Sequence, residues 1–200
     1  MGRTPRRESA TGYYHVVTRG NRRQAVFHTP EDYQQYLRLL AVASATYAVP
    51  VAHYCLMPNH IHILLRAATR TSVSQTLHQV QRRYWFAVHR RYGLTGHLWQ
   101  GRFHSFPIED ESYLLECARY IERNPVEAGL VPQPGDYSWS SYPAYATSQA
   151  GLLPLISTPG YEALGATLAT RQTAYQRFVE TPQPYDRAMR RKLERVTAYA

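Results

Sequence analysis

The fold is decided by residues 54–65, which read YCLMPNHIHILL. Side chains of a strand point alternately to its two faces, so Ile61 and Ile63 share one face while His60 and His62 share the other. The apolar face indicates a buried strand, and the two imidazoles opposite it can converge on one divalent metal ion. The pattern is equally typical of two hydrogen-bonded histidines on a half-buried strand, so the surrounding sequence has to decide.

The segments on either side of this stretch predict an alternation of strands and helices. In chain order the predicted elements are a strand at 13–19, a helix from 29 to about 47, strands at 51–56 and 60–66 joined by a turn at 57–59, a helix from 71 or 72 to 93, a strand at 102–108 and a helix that opens at 109–112. This order matches the α+β ferredoxin-like split βαβ arrangement with one added helix, in which the first and third strands are central. We therefore expect both histidines on an inner strand of an antiparallel sheet.

Local signals set the expected helix ends. Thr71 or Ser72 is predicted to cap the second helix, and Gly93 to stop it. The third helix is predicted to finish near Asn124, because a proline at position 125 disfavours helical geometry in the residue before it.

The character of the chain changes after residue 145. Residues 161–179 predict one further helix, 181–184 a proline-containing linker and 186–199 a short basic helix or a mobile tail. We interpret 1–145 as a catalytic domain and 146–200 as a helical C-terminal extension with a basic tail. Five basic and two acidic residues give positions 181–200 a net charge of +3, which is typical of a solvated end or of a segment that clamps duplex DNA.

Composition favours a polyanionic partner. The formal charge is +9 and the pI about 9.7, and Lys192 is the only lysine, so almost all positive charge is on arginine. Codon bias in a GC-rich genome is an alternative explanation for arginine in place of lysine, but it does not explain the excess of positive charge. The two cysteines, Cys55 and Cys117, are predicted as buried thiols. No signal peptide or membrane span is predicted, and we expect a cytoplasmic, nucleoid-associated protein.

The third predicted helix carries a polar pair away from its apolar stripe. At 100° per residue, Leu114, Ala118 and Ile121 share one face, whereas Tyr120 and Asn124 lie one turn apart on another. A tyrosine is far more often a packing residue than a catalytic one, and this chain has 17 of them. The side-chain amide of Asn124, one turn further along the same face, favours a functional role for Tyr120.

Four separated motifs resemble one family. They are YHVVTRGN at 14–21, LMPNHIH at 56–62, LWQGRF at 98–103 and RYIERNPV at 119–126. Their order and spacing across residues 12–145 resemble the single-tyrosine HUH transposases of the IS200-like group, and more narrowly the REP-associated tyrosine transposases, which act on palindromic repeats.

The resemblance implies a metal-dependent enzyme of DNA transposition and recombination. His60 and His62 would bind Mg²⁺ or Mn²⁺, Asn124 would supply the third protein ligand, and Tyr120 would cleave single-stranded DNA through a 5′-phosphotyrosine intermediate. Many relatives carry Gln where this chain has Asn124. The implied partner is single-stranded or hairpin DNA, with the enzyme a monomer or homodimer.

Candidate DNA contacts lie in three segments. Cationic and amide side chains suit phosphates, and aromatic rings suit unstacked bases. The candidates are Arg19, Asn21, Arg22, Arg23, Arg82, Arg83, Trp99, Gln100, Arg102 and His104. Solvated surface is the alternative for each arginine, and core packing is the alternative for Trp99 and for Phe103.

Two other functions compete with a tyrosine transposase. The same fold serves non-catalytic RNA-binding modules, which present aromatic residues where this chain has His60 and His62. A metal-dependent nuclease that uses water would leave Tyr120 structural. A stable protein–DNA adduct separates the two enzymes.

Overall fold

The computed structural model of the protein describes residues 8–147, 149 and 151–181. One antiparallel sheet contains four strands: β1 (Tyr13–Arg19), β2 (Val51–Leu56), β3 (His60–Arg66) and β4 (His104–Pro107). Their order across the sheet is β2-β3-β1-β4, so the first and third strands are central, as predicted. Residues 182–184 of the predicted linker and the basic helix or tail predicted at 186–199 lie outside the described residues.

The described part of the chain contains six α-helices. They are α1 (Pro30–Thr46), α2 (Arg70–Tyr92), α3 (Ser112–Glu127), α4 (Tyr142–Ala146), α5 (Pro159–Glu162) and α6 (Leu168–Glu180). The order of strands and helices through α3 confirms the ferredoxin-like α+β fold with an added helix. None of these helices is long and apolar enough to cross a membrane.

The two faces of β3 lie in different surroundings. Ile61, Ile63 and Leu65 are each 0% exposed and pack in the core formed with α1 and α2. Burial of each such side chain contributes about 1.5–3 kcal/mol. The opposite face, which carries His60 and His62, lies towards α3. β3 is thereby held from both sides.

The side chains of α3 build a second, smaller core on that opposite face. Leu114, Cys117 and Ile121 of the helix pack against a patch of the sheet that includes Cys55 and Leu64. Cys55 and Cys117 are both free and buried, as predicted.

The helix α2 begins earlier than predicted. Its cap is Thr69, not Thr71 or Ser72, because the Thr69 backbone is extended and its side chain accepts a hydrogen bond from the Ser72 N–H at 3.2 Å. The predicted end is confirmed, since Gly93 has the left-handed backbone (φ 63°) that favours glycine.

β4 is shorter than the strand predicted at 102–108. The end of β1 bonds instead to the chain just before β4, with Gly20 bridged to Trp99 and the Gln100 N–H donating to the Arg19 carbonyl at 2.9 Å. Residues 101–103 lie between these two attachments outside the ladder, and Phe103 is buried in the core.

The helix α3 passes through Pro125, so the predicted end at Asn124 is wrong. A proline inside a helix removes one backbone hydrogen bond. The apolar stripe of Leu114, Ala118 and Ile121 continues onto Pro125, which is itself buried. Packing of that stripe outweighs the local cost, and the Ala128 N–H still donates to the Asn124 carbonyl at 2.9 Å.

The helix predicted at 161–179 is two helices, α5 and α6. The Thr167 side chain accepts a hydrogen bond from the Thr170 N–H at 3.2 Å and caps α6, which separates it from α5. Ser140, Ser141 and Tyr142, at the start of α4, are buried against the rest of the protein.

A buried carboxylate joins α6 to α3. Glu122, on α3, is 0% exposed. Its Oε1 lies 2.9 Å from His53 Nδ1 and accepts a hydrogen bond from Ser141 Oγ at 2.6 Å, and its Oε2 accepts one from the Tyr175 hydroxyl at 2.7 Å. Because a buried polar group needs hydrogen-bond partners, these groups from β2, α6 and the chain before α4 make the position of α3 depend on all three.

Removal of one partner of Glu122 should destabilise the protein. We expect Tyr175→Phe to lower the free energy of unfolding by about 1–3 kcal/mol, because Glu122 Oε2 loses a buried hydrogen bond. The matched control is Tyr36→Phe, whose hydroxyl is buried without a partner among the described residues and whose loss should leave stability unchanged or higher. Chemical denaturation measures both, and equal effects would contradict the assigned role of Tyr175.

Buried tyrosines should make the fold sensitive to alkali. Burial raises the pKa of Tyr36, Tyr54 and Tyr84 above the ordinary value near 10. The unfolded chain therefore loses phenolic protons that the folded chain keeps, so this stability is present below pH 10 and is lost as the pH rises above it. Each such tyrosine accounts for up to about 1.4 kcal/mol per pH unit.

Denaturation between pH 9 and pH 11 tests this dependence. We expect the free energy of unfolding to fall with rising pH, and Tyr36→Phe to reduce the slope by about one proton. An identical slope in the two proteins would exclude Tyr36 as a contributor.

Candidate active site

The strand β3 holds two histidines close together under α3. The ring centroids of His60 and His62 are 5.0 Å apart, and the rings are nearly perpendicular. His62 is fully buried, whereas His60, at the start of the strand, is partly exposed. Both Nε2 atoms are buried and have no hydrogen-bond partner among the described residues. An unprotonated imidazole nitrogen without a partner is the atom that a metal ion binds.

Burial keeps these imidazoles neutral. It lowers the pKa of His62 well below 6.5 and the pKa of His60 to about 4. The nearby Asn124 side chain partly opposes this shift by raising the pKa of His60, whereas the positive charge of Arg19 lowers it further. A metal ion binds the neutral form, so neither histidine must first lose a proton at neutral pH.

A third histidine, His15, belongs to the site and was missed in the sequence. His15 is 2% exposed, and its Nε2 lies 3.0 Å from His62 Nδ1. Burial lowers the pKa of His15 to about 3, so this ring is neutral too. Alternation along β1 puts residue 15 on one face with residues 13 and 17, but only the register, in which Val17 pairs with His62, brings it to the site.

Tyr120 reaches the histidines from α3. Its ring makes edge-to-face contacts with His62 and His15, at centroid distances of 5.5 and 6.0 Å, and is partly exposed. Asn124 lies one turn further along, and its Nδ2 donates to the Tyr120 carbonyl at 3.1 Å. That bond uses the amide nitrogen, and the Asn124 side chain also interacts with His60.

The structure thus brings together two pairs of residues that the sequence predicted from different elements, His60 with His62 and Tyr120 with Asn124. Across residues 8–147, 149 and 151–181, no group of three or more His, Cys, Asp or Glu side chains is arranged to hold a metal ion. The candidate set has a different composition, with two imidazoles and one amide.

The end of β1 and the turn after it border this site with positive charge. Arg19 lies directly opposite His60 in the β1–β3 register. Arg22 and Arg23 are exposed in the short 3₁₀ turn Asn21–Arg23, and both have left-handed backbone (φ 52° and 61°). Asn59 Nδ2 donates to the Arg23 carbonyl at 3.2 Å, which ties this turn to the one before β3.

The segment before β4 runs along the same border. The ring of Trp99 packs against the core and its Nε1 donates to the Gln81 carbonyl at 3.3 Å, so packing occupies much of this side chain. Gln100, Arg102 and His104 are exposed. Their position beside the end of β1 extends the polar surface around the site.

The remaining candidates, Arg82 and Arg83, are exposed on α2. Their neighbour Gln81 donates from Nε2 to Thr18 Oγ1 at 2.6 Å, which places this part of α2 beside the end of β1. Thr18 pairs with Ile61, on the face of the sheet that packs with α1 and α2, so Arg82 and Arg83 lie on the side of the sheet away from the histidines and α3.

Two solved transposase structures match the chain. A REP-associated tyrosine transposase bound to a REP hairpin has a TM-score of 0.62 at 19% identity, with 79% of this chain and 93% of that chain covered. A putative transposase from Deinococcus radiodurans R1 has a TM-score of 0.42 at 19% identity, with 62% and 95% covered. The first match, at 19% identity, shows a shared fold only. The TM-score of the second is too low to support a conclusion about fold.

No curated protein shows significant similarity to the chain. The family model described as "Transposase IS200 like" matches residues 8–124, a range that contains His15, His60, His62, Tyr120 and Asn124. The match extends over more than half of the protein, and the chain therefore belongs to the IS200-like transposase family.

Proposed function

We propose that this transposase cuts and rejoins single-stranded DNA at or near palindromic hairpin repeats, with Tyr120 as its nucleophile. The observation that carries the proposal is the contact of the Tyr120 ring with His62, whose Nε2, like that of His60, is buried and unpaired among the described residues. A tyrosine beside two unpaired imidazole nitrogens suits phosphoryl transfer to a phenolic oxygen.

The residues present fit a divalent metal ion. His60 Nε2, His62 Nε2 and the Asn124 side-chain oxygen would hold it. When bound, Mg²⁺ or Mn²⁺ polarises the scissile phosphate and offsets the negative charge that grows on its oxygens.

Tyr120 carries the covalent step. Its phenolic oxygen attacks the phosphorus in line, so a bond from the tyrosine oxygen to phosphorus forms while the bond to the 3′-oxygen breaks. The phenol loses its proton, and the departing oxygen gains one and becomes a 3′-hydroxyl. A later attack by a 3′-hydroxyl on the 5′-phosphotyrosine restores the phenol and rejoins DNA without ATP.

The charges around the site support a DNA substrate. Arg22, Arg23 and Arg102 are exposed beside it, and the protein has a formal charge of +9. The transposase of similar fold that is bound to a REP hairpin supports hairpin DNA as the substrate class. The DNA must be unpaired at the cut, because an in-line attack needs access to the phosphate from one side.

The sheet argues against a non-catalytic RNA-binding module. Such modules stack bases on an open sheet face. Here α3 packs on that face, and His15 and His62 beneath it are 2% and 0% exposed. In this proposal residues 1–145 are the catalytic domain and 146–200 an extension, of which α6 packs on α3.

Loss of the Tyr120 hydroxyl should abolish cleavage. We expect Tyr120→Phe to keep the fold and hairpin binding but to lower cleavage by about 1,000-fold or more and to form no adduct, because only the nucleophilic oxygen is removed. The matched control is Tyr113→Phe, a partly exposed tyrosine two turns earlier on α3, which should cleave like the wild type. Gel assays with single-stranded hairpin oligonucleotides and Mn²⁺ measure both cleavage and adduct. Undiminished nicking by Tyr120→Phe would indicate water as the nucleophile.

Removal of the two imidazoles should separate catalysis from DNA binding. We expect His60→Ala combined with His62→Ala to lose Mn²⁺ binding and cleavage, whereas hairpin affinity changes little because exposed cations supply most of it. The control is His78→Ala, an exposed histidine on α2. Calorimetry with Mn²⁺ and a hairpin binding assay in EDTA test this. Equal cleavage by the wild type in EDTA and in Mg²⁺ would rule out the metal site.

A further inference from the structure

His15 is placed to control the protonation pattern of His62. The two side chains are buried, and His15 Nε2 lies 3.0 Å from His62 Nδ1 with the ring planes tilted by 34°. One proton lies between these two nitrogens. The ring that carries this proton determines whether His62 Nε2 is protonated or has a free lone pair.

Two arrangements of neutral rings satisfy this hydrogen bond. In the first, His62 Nδ1–H donates to His15 Nε2, and His62 Nε2 has a free lone pair. In the second, His15 Nε2–H donates to His62 Nδ1, and His62 carries its own proton on Nε2. That atom is buried and has no partner among the described residues, so the second arrangement leaves an N–H donor unsatisfied. The first arrangement leaves a lone pair that a cation can take.

His60 has the corresponding contact on its own Nδ1. This atom lies 2.8 Å from Asn59 Oδ1, and the Asn59 amide orientation is supported by its Nδ2 donating to the Arg23 carbonyl. An amide oxygen only accepts, so His60 Nδ1 carries the proton and His60 Nε2 has the lone pair. Both candidate ligands therefore contact a possible acceptor at Nδ1, which is how metal-binding histidines are held in one tautomer.

We propose that His15 is a positioning residue whose Nε2 accepts the Nδ1 proton of His62 and so presents the His62 Nε2 lone pair to the metal. The inference rests on the metal site proposed above. His15 acts through His62, and its own ring does not bind the ion.

The tautomer can be read directly in the wild-type protein. Nitrogen chemical shifts of imidazoles labelled with ¹⁵N, measured without metal at neutral pH, distinguish a protonated nitrogen from a bare one. We expect His62 to carry its proton on Nδ1 and His15 to have a bare Nε2. A proton on His62 Nε2 would overturn the proposal without any substitution.

Two substitutions test the consequence for metal binding. His15→Phe keeps the ring volume but removes the acceptor, and should weaken Mn²⁺ binding by about 10–100-fold. His15→Gln keeps an acceptor and should bind within a few-fold of wild type. Calorimetry with Mn²⁺ alone measures the affinity, and denaturation confirms that each variant is folded. Equal affinities for His15→Phe and wild type, or equal losses in both variants, would overturn the role of His15.

Further measurements separate this proposal from the function it rests on. Saturating Mn²⁺ should restore most cleavage by His15→Phe, and its hairpin affinity in EDTA should equal that of wild type. Unchanged Mn²⁺ binding after His60→Ala with His62→Ala would overturn the metal site itself, and the inference with it. If the double variant loses Mn²⁺ binding but His15→Phe does not, the inference about His15 is overturned and the metal site is not.

Discussion

Burial of β3 on both faces is the constraint on which the site depends. Because β3 is an inner strand, β1 and β2 fix its backbone from both sides. Its odd-numbered residues are anchored in one core, so the imidazoles of the other face cannot slide or turn without moving that core. A site on such a strand needs little reorganisation before it binds a ligand.

Alternation and helical periodicity were sufficient to predict the main parts of this arrangement. The i, i+2 spacing predicted that His60 and His62 share a face, and the i, i+4 spacing predicted that Tyr120 and Asn124 do. Both rules depend only on local geometry. The sequence did not identify His15 as a site residue, because its position depends on the register of β1 against β3, which no short stretch of sequence specifies. Likewise, the end of α3 was misplaced because a local rule about proline ignores the buried stripe that continues onto Pro125.

Glu122 was the harder residue to predict. A glutamate flanked by arginine suggests a solvated helix face, yet this one is 0% exposed. Its partners His53, Ser141 and Tyr175 are 69, 19 and 53 residues away in the chain. Such a network can be recognised only when the elements that carry it are already assembled.

The network has a consequence for how the protein can be divided. The family model ends at residue 124, so it includes Glu122 and His53 but neither Ser141 nor Tyr175. A fragment that ends at the family boundary would keep every side chain proposed to bind metal. It would also leave Glu122, two residues from the proposed nucleophile, without two of its three hydrogen-bond partners. The range matched by the family model is therefore shorter than the stretch of chain that supplies all three partners of Glu122.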